Sequence, residues 1–340
     1  MKPQPLKTLF YGITHEHAPG KLETLKRMRD DFEIVAIVDD SPRKSPMYRD
    51  QVWDPAGYRI VSEAEAFDMP GVEVVFVEVT NRDLMEVAGA VADRGLPMHC
   101  DKPCGEDFAA YRAVVEKCRA RNIPMQIGYM YRANPAVQFC QKAVRAGWLG
   151  EIGFIEADMN HAYNHDNYAE YMSTFEGGIL YSLGCHLVDM IEPLVKGELL
   201  RASSVVRPAP FDPPGSRTSG AALLEFPSTE ALIRTSSQMP GGILARRLRI
   251  DGSNGTIDLC PIERFDGGNL RLAMTLQKPA GGYAAGSHVI DFGALSDRYA
   301  DQLRELAQTV RGEIPNDPAG YDRDLRVHRW VLKMCGLEDR

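Results

Sequence analysis

Residues 72–103, VEVVFVEVTNRDLMEVAGAVADRGLPMHCDKP, carry the pattern that decides the fold. The β-branched run Val72–Val79 is followed by a helical stretch, Leu84–Arg94, and by a short second strand, Pro97–Cys100. Strands that alternate with helices of this length predict βαβ units and a parallel sheet. The tripeptide DKP (101–103) then follows at the carboxyl end of a strand, which is the edge where open α/β sheets bind ligands.

The same alternation extends to both sides of this stretch. Before it, we predict strands over Lys7–Gly12 and Phe32–Val38, with a helix over Gly20–Asp31 between them. After it, we predict a helix over Glu106–Arg121 and a strand over Pro124–Met130. The sequence therefore predicts an N-terminal Rossmann domain over residues 1–131.

The second half of the chain has a different pattern. We predict a helix over Pro135–Ala146, a strand near Ile152–Asp158, a polar loop over NHAYNHDNYAEYM (160–172) and a helix over Gly177–Val195. Alternating segments follow at 220–226, 230–237, 247–250 and 270–277, and helices at 297–311 and 322–334 end the chain. These features predict an α+β domain with a large, mainly antiparallel sheet over residues 132–340.

Composition narrows the function classes. The 340 residues suit two domains, and a net charge of −8 argues against a nucleic-acid partner, which clustered Lys and Arg would bind. No run of about 18 apolar residues and no signal-peptide core occurs, so we expect no membrane span and a cytoplasmic location. The seven cysteines are scattered without a CxxC pair, which predicts free thiols.

The loop after the first strand, GITHEHAPG (12–20), departs from the glycine-rich phosphate loop of dinucleotide-binding domains. Gly12 fits the first glycine, but Thr14 and His17 stand where the other two belong. In a longer loop, Gly20 opens the helix that faces the pyrophosphate, and Asp39 follows 19 residues later, a spacing that suits a ribose-binding acid. Asp39 is equally explained as a turn residue that ends a strand.

The His15-x-His17 pair offers a second hypothesis. Two imidazoles after a first strand bind metal in barrel hydrolases of the amidohydrolase kind. The long antiparallel segments of the second half argue against such a barrel. We therefore keep a metal-dependent hydrolase acting through His15 and His17 as the remote alternative.

Three segments resemble the Gfo/Idh/MocA family of oxidoreductases, in the family's order and spacing. They are VEVTNRDLMEVAGAVADRGLPMHCDKP (77–103), GYMYRANPAV (128–137) and GGILYSLGCHLVDMI (177–191). A further segment, RLRIDGSNGTIDL (247–259), resembles a strand-turn-strand of the family's C-terminal domain. The resemblance implies a nicotinamide cofactor, and it implies a sugar or polyol as the substrate.

The resemblance assigns roles at the DKP tripeptide. The family's Glu-Lys-Pro lysine, which contacts the reacting oxygen, corresponds to Lys102, and Asp101 replaces the family's glutamate. A lysine there stabilises negative charge on an alkoxide as hydride leaves. The resemblance also implies cofactor contacts for a wider set: Gly12, Ile13, Thr14, His15, Asp39, Thr80, Asn81, Asp101, Lys102 and Pro103. For Asn81, a helix cap is the plain alternative.

The family's second motif, Asp-x-x-x-His, is altered in this chain. His186 corresponds to the family's acid/base, but Ser182 takes the position of the aspartate. On one helix, residues four apart share a face, so Ser182 can reach the imidazole without supplying a charge. Asp189 either compensates for the missing carboxylate or pairs with a backbone or arginine partner. We predict Lys102, His186 and Ser182 as the catalytic residues.

Several polar and aromatic residues suit a substrate that carries hydroxyl groups. The set that we predict for substrate binding is Tyr129, Tyr131, Arg132, Asn160, His161, His165 and His186. Packing explains the tyrosines about as well. A metal site at His161, His165 and His186 is unnecessary for the family's chemistry, so we expect no metal.

The sequence thus predicts an NAD(P)-dependent oxidoreductase, with NAD preferred because Asp39 would repel a 2′-phosphate. Two alternatives remain: an enzyme that uses bound NAD without net redox, as in glycoside hydrolysis, and a non-catalytic dinucleotide-binding regulator. Because helices are expected on one sheet face only, a second subunit should cover the other face. We expect a homodimer or a homotetramer.

Overall fold

The computed structural model describes residues 3–40, 57–162 and 166–338. The chain forms two compact units. The first contains Met1–Tyr129 and Tyr299–His328, and the second contains Met130–Arg298 and Arg329–Asp339. The first unit therefore ends close to the predicted boundary at residue 131, but the late segment 299–328 groups with it rather than with the second unit.

The first unit is built on a six-stranded parallel sheet. Its strands are β1 Leu6–Tyr11, β2 Phe32–Val38, β3 Ile60–Val61, β4 Val74–Val77, β5 Met98–Cys100 and β6 Met125–Ile127. Their order is β3-β2-β1-β4-β5-β6, which is the Rossmann arrangement, and every pairing is parallel. The predicted fold of this half is confirmed.

The helices of the first unit connect these strands. They are α1 Ala18–Arg27, α2 Glu63–Ala66, α3 Leu84–Asp93 and α4 Phe108–Ala120. In α1 the buried side chains recur at helical spacing, at Ala18, Lys21, Leu22 and Leu25. The central strand β4 is buried along its whole length, as expected when helices cover both faces of a parallel sheet.

The second unit carries an eight-stranded sheet. Its strands are β7 Ile152–Asn160, β8 Arg201–Arg207, β9 Ser219–Glu225, β10 Glu230–Ser236, β11 Arg247–Gly252, β12 Gly255–Leu259, β13 Asn269–Leu276 and β14 Gly286–Ala294. Their order is β14-β13-β12-β11-β7-β10-β9-β8. Among the described strands of this second sheet, only β7 and β10 pair in parallel. The prediction of a large, mainly antiparallel sheet is therefore confirmed.

Strands β9, β10, β12 and β13 of this sheet alternate between buried side chains and exposed or half-buried ones. In β13, for example, Leu270, Leu272 and Met274 are buried, and the residues between them are exposed. One face therefore belongs to the core and the other to solvent in the single chain. The helices of the unit are α5 Pro135–Arg145, α6 Asp166–Ser173, α7 Gly178–Ser182 and α8 Gly184–Ile191.

Two helices follow β14, α9 Ala300–Val310 and α10 Pro318–Met334. In the part of the chain that the structure describes, no helix is long and apolar enough to cross a membrane. All seven cysteines are free thiols, as predicted, and Cys260 is exposed.

Two segments differ from the prediction. The stretch 160–172 was expected as a loop, but Asp166–Ser173 forms α6. The single helix expected over Gly177–Val195 is divided into α7 and α8 at Leu183, and a 3₁₀ turn, Glu192–Leu194, ends it.

Candidate functional site

Gly12 follows β1 with a φ of 98°, a conformation that favours glycine. An added Cβ would lie 2.7 Å from the Val79 side chain and 2.8 Å from the Val79 backbone nitrogen. The backbone after β1 therefore passes directly against the backbone after β4. This close approach explains the glycine without any ligand.

A buried carboxylate holds the next residues of the loop. Asp40 Oδ1 accepts a hydrogen bond from the Ile13 N–H at 2.7 Å, and Asp40 Oδ2 accepts another from the Thr14 hydroxyl. Asp40 is fully buried, whereas Asp39 beside it is exposed at the end of β2. Sequence reasoning singled out Asp39 and missed Asp40, because two adjacent acids give no signal of which one turns inward.

The remainder of the β1–α1 loop forms a buried polar cluster with the end of β5, here called the His15 cluster: His15, His17, Lys21, Glu78 and Asp101. His15 Nδ1 and His17 Nδ1 each lie 3.2 Å from Asp101 Oδ2. Lys21 Nζ donates to the same oxygen at 2.5 Å and to Glu78 Oε1 at 2.8 Å. Lys21 and Glu78 were not predicted.

Charge and burial set the protonation states in the His15 cluster. Burial raises the pKa of Glu78, against the effect of Lys21. Burial opposes ionisation of Asp101 too, but His15, Lys21 and His17 outweigh it and lower its pKa well below the usual range. Burial also lowers the pKa of His17 to about 4. The His17 imidazole is therefore neutral near pH 7 and has a lone pair available.

Lys102 and Asn81 border this cluster. Lys102 is 1% exposed, its N–H donates to Asp101 Oδ1 at 2.6 Å, and its peptide bond to Pro103 is cis. The Asn81 amide donates to the carbonyl oxygens of Lys102 at 2.9 Å and Pro103 at 3.0 Å. The same amide nitrogen lies 3.1 Å from His15 Nε2. Asn81 thus ties the loop after β4 to the loops after β1 and β5.

Thr80 has a different role from Asn81. Its hydroxyl donates to the Asp83 carboxylate at 2.7 Å, and Asp83 precedes α3. Thr80 therefore supports the start of the helix. Tyr129, predicted to bind substrate, is buried at the end of the first unit.

The second unit holds His186 and Ser182. His186 lies in α8, is 3% exposed, and its ring contacts Tyr131 edge-to-face at 5.1 Å between centroids. Ser182 is the last residue of α7, so the two residues do not share one continuous helix. The inference that Ser182 and His186 occupy one helix face by their spacing therefore does not apply.

Asp189 pairs with arginine. Its Oδ1 accepts hydrogen bonds from Arg132 Nε at 2.8 Å and from Arg132 Nη2 at 2.6 Å. Of the two possibilities that the sequence left open for Asp189, the structure shows the arginine pair. Arg132, which was predicted to bind substrate, is engaged by this carboxylate.

A second buried polar cluster surrounds Glu263 and is called the Glu263 cluster: Tyr131, His161, Arg246, Glu263 and Arg298. Glu263 Oε1 accepts from the Tyr131 hydroxyl at 2.7 Å, from Arg298 at 3.0 Å and from Arg246. Arg246 Nη2 also lies 3.0 Å from the His161 ring nitrogens. Burial raises the pKa of Tyr131, so its hydroxyl stays protonated.

Asn160 lies at the end of β7 beside this cluster. Its carbonyl oxygen accepts from Arg246 Nε at 3.0 Å. Its side chain is fully buried, and neither polar atom of the amide has a hydrogen-bond partner among the described residues. A buried amide without partners is unfavourable, so this side chain suits a ligand that carries hydroxyl groups. His165, also predicted to bind substrate, lies outside the described residues.

The missed residues had weak sequence signals. Lys21 occupies a buried position in the helical repeat of α1, and Glu78 ends an otherwise apolar run. Arg246 and Glu263 are far apart in sequence and lie outside regular strands and helices. Their pairing is a tertiary contact that local periodicity does not report.

Residues 137–258 match the family model described as the GFO/IDH/MocA C-terminal domain. A D-apiose dehydrogenase of Paraburkholderia graminis is 27% identical over 191 residues, covering 53% of this chain and 46% of that protein. A levoglucosan dehydrogenase of Pseudarthrobacter phenanthrenivorans is 27% identical over 144 residues, covering 41% of this chain and 37% of that protein. The chain thus spans less than half the length of these two relatives.

Solved structures share the fold over nearly the whole chain. An inositol dehydrogenase homologue from Azotobacter vinelandii, complexed with NADH and myo-inositol, superposes with a TM-score of 0.72 at 17% identity, covering 99% of this chain and 96% of that one. An NADPH-dependent oxidoreductase structure from Desulfitobacterium hafniense gives a TM-score of 0.77 at 17% identity, covering 99% and 96%. Together with the match over residues 137–258, these structures show that the chain has the fold of GFO/IDH/MocA oxidoreductases.

Proposed function

We propose that this protein is an NAD(P)-dependent oxidoreductase that transfers hydride between the nicotinamide and a sugar, a polyol or a related hydroxylated small molecule. The observation that carries this proposal is Lys102. It is a buried lysine directly after a parallel strand of a Rossmann sheet, and it stands in the family's lysine position. The dehydrogenases among the relatives support the same reaction class.

The residues at this sheet edge fit a dinucleotide. Asp39 is exposed after β2, where a carboxylate can accept both ribose hydroxyls. Helix α1 begins six residues after Gly12, with its N–H groups directed towards its start. The N–H of Ile13 is already bonded to Asp40, so we assign the pyrophosphate to the start of α1.

When bound, the nicotinamide would accept or return the hydride. Lys102 supplies positive charge to the substrate oxygen as that oxygen becomes an alkoxide. His186 accepts the hydroxyl proton, and Tyr131 supports its ring edge-to-face. Ser182 remains in the proposed set of catalytic residues, as a hydrogen-bonding group rather than as a charge.

The proposed substrate carries several hydroxyl groups. The buried amide of Asn160 offers one acceptor and two donors, which match the donor and acceptor character of a hydroxyl. His161 and Arg132 complete the polar groups that we assign to substrate. D-apiose and levoglucosan, after which two of the relatives are named, belong to this chemical class.

Calorimetric titration with NAD(H) and NADP(H) tests the cofactor assignment. We expect NAD(H) to bind more tightly, because the Asp39 carboxylate repels a 2′-phosphate. Asp39→Ala should weaken NAD(H) binding about tenfold and reduce the preference. Arg43 and Lys44, which would oppose that preference, lie outside the described residues. If neither dinucleotide binds at millimolar concentration, the proposed function is wrong.

We further propose that the protein is a homodimer or a homotetramer, with the solvent-facing side of the second unit's sheet as the interface. Five large apolar side chains on that sheet are exposed in the single chain: Phe154, Val205, Leu223, Leu232 and Val289. Leu223 and Leu232 lie opposite each other on β9 and β10. Sedimentation of Leu232→Asp should show a smaller species than the wild type; an unchanged species would remove this face from the interface.

A further inference from the structure

The His15-x-His17 motif plays no part in the proposed hydride transfer. The loop that carries it replaces a glycine-rich sequence with two imidazoles, and both approach one carboxylate. His15, His17 and Asp101 each present a metal-ligating atom, and these atoms all lie within 4.8 Å of one another. His15 and Asp101 are fully buried, and the His17 side chain is 15% exposed.

The spacing of these atoms matches a metal coordination sphere. Each imidazole Nδ1 lies 3.2 Å from Asp101 Oδ2. Two ligands at about 2.0–2.1 Å from a tetrahedral cation are about 3.3–3.4 Å apart. The two His–Asp edges therefore agree with a cation bound by Nδ1, Nδ1 and Oδ2, without rearrangement of the backbone.

The groups behind the ligands hold them in place. Asp101 Oδ1 accepts the Lys102 N–H at 2.6 Å, and Asp101 Oδ2 accepts from Lys21 at 2.5 Å. The His17 N–H donates to His15 Nδ1 at 3.1 Å, and the Asn81 amide nitrogen lies 3.1 Å from His15 Nε2. Such outer contacts orient metal ligands and are part of a built site.

The cluster leaves acceptor sites for an added cation. Glu78 and Asp101 are two buried carboxylates that share one ammonium group, that of Lys21. Glu78 Oε2 is buried and has no hydrogen-bond partner among the described residues. Lys21 does not exclude a metal from Asp101 Oδ2, because an ionised carboxylate has about four lone-pair sites.

We propose that His15, His17 and Asp101 bind a divalent transition-metal cation of the zinc type. Two imidazoles and a carboxylate are the ligands that such cations prefer. Three protein ligands leave a fourth position, on the partly exposed side of His17, for water or for an oxygen of a small ligand. This site adds to the proposed oxidoreductase function and does not depend on it. It also departs from our expectation of no metal.

The test uses Co²⁺ as the probe, without dinucleotide or substrate. The purified full chain is treated with a chelator, dialysed and titrated with Co²⁺, and the visible absorption and the bound cobalt are measured. We expect one Co²⁺ per chain with the intense visible bands of tetrahedral coordination. His17→Ala should bind Co²⁺ at least about a hundredfold more weakly, because a direct ligand is lost. His288→Ala, which removes a histidine of β14, is the matched control and should bind as the wild type does.

The proposal is overturned if the wild type binds no stoichiometric Co²⁺, or if His17→Ala and the wild type bind it equally. Should His17→Ala fail to fold, the near-isosteric Asp101→Asn gives the same comparison and should also lose the absorption bands. A third variant, Lys21→Met, removes the competing ammonium and should tighten Co²⁺ binding. Weaker binding in Lys21→Met would contradict the charge argument. Since no step involves a dinucleotide, failure here leaves the oxidoreductase proposal unaffected.

Discussion

The His15 cluster and the Glu263 cluster are both buried and polar, but their balance of donors and acceptors differs. In the first, two carboxylates share one lysine, and two imidazoles add lone pairs. In the second, one carboxylate accepts from two guanidinium groups and a phenol. The first cluster has acceptors to spare, whereas Glu263 Oε1 is saturated by donors.

This difference separates a binding site from a structural tie. Three strong donors saturate Glu263 Oε1, so this oxygen has no further coordination to offer. The Glu263 cluster therefore holds Arg246, Arg298 and Tyr131 together. In the His15 cluster, Glu78 Oε2 is buried without a hydrogen-bond partner among the residues that the structure describes, which is unfavourable unless a ligand bonds to it. Buried polarity alone therefore does not identify a functional site. The balance of donors and acceptors does.

The largest expected effect comes from breaking the saturated cluster. Glu263→Gln leaves the buried Arg246 and the half-buried Arg298 without their carboxylate, so we expect the free energy of unfolding to fall by about 3–5 kcal/mol. Denaturant unfolding measures it. Glu225→Gln is the matched control, because its pair with Arg201 is exposed and should contribute less than about 1 kcal/mol. Equal losses in both variants would show that Glu263 is not a structural tie.

The second prediction concerns Lys102 and His186, one from each unit. With a turnover assay, Lys102→Ala and His186→Ala should each lower kcat about a hundredfold or more, through lost charge stabilisation and lost proton transfer. If both act on one step, as we propose, the double variant should be little slower than the slower single variant. Multiplicative losses would separate the two roles, and wild-type turnover in both folded variants would place the chemistry elsewhere.

The sheet order and the main elements were predictable because parallel strands with buried faces repeat a pattern that periodicity detects. β2 has the predicted bounds, Phe32–Val38, and α3 differs from its prediction by one residue. Strands β8 and β14 were not predicted. β8 has mostly exposed side chains, and β14 has only exposed and half-buried ones, so their sequences lack the apolar alternation of a half-buried strand.

The site was less predictable than the fold. A local motif at a strand end identified Lys102 and Asp101 as site residues, and both are buried in the structure. The sequence did not identify Lys21, Asp40 and Arg246, since each is a charged residue whose burial depends on a partner distant in sequence. Asp40 meets Ile13 and Thr14 across the loop, and Arg246 meets Glu263. Composition and spacing contain no information on such pairings.

The third prediction uses a buried group that is kept neutral rather than paired. His328 of α10 is 1% exposed and packs against Tyr111 at 4.2 Å between ring centroids. Burial lowers its pKa from 6.5 to about 4, so between these pH values the unfolded chain holds a proton that the folded chain lacks. This contribution to stability is complete above pH 6.5 and decreases as the pH falls to 4, by about 3 kcal/mol. The unfolding free energy of His328→Phe should decrease less over this range; an unchanged pH dependence would assign it to other groups.

The smallest effect is expected from Ser182→Asp. The family's carboxylate precedes the histidine by four residues, and restoring it should strengthen His186 as a base, because a nearby negative charge stabilises the imidazolium. The two residues lie on separate helices, α7 and α8, so the gain depends on side-chain reach across the break at Leu183. We expect kcat to rise about tenfold or less, and burial of the new carboxylate to reduce stability. The pH dependence of kcat distinguishes the explanations. A carboxylate that reaches His186 raises the pKa that governs activity, whereas a faster variant with an unshifted pH profile would show that Ser182 acts by packing and not on the base.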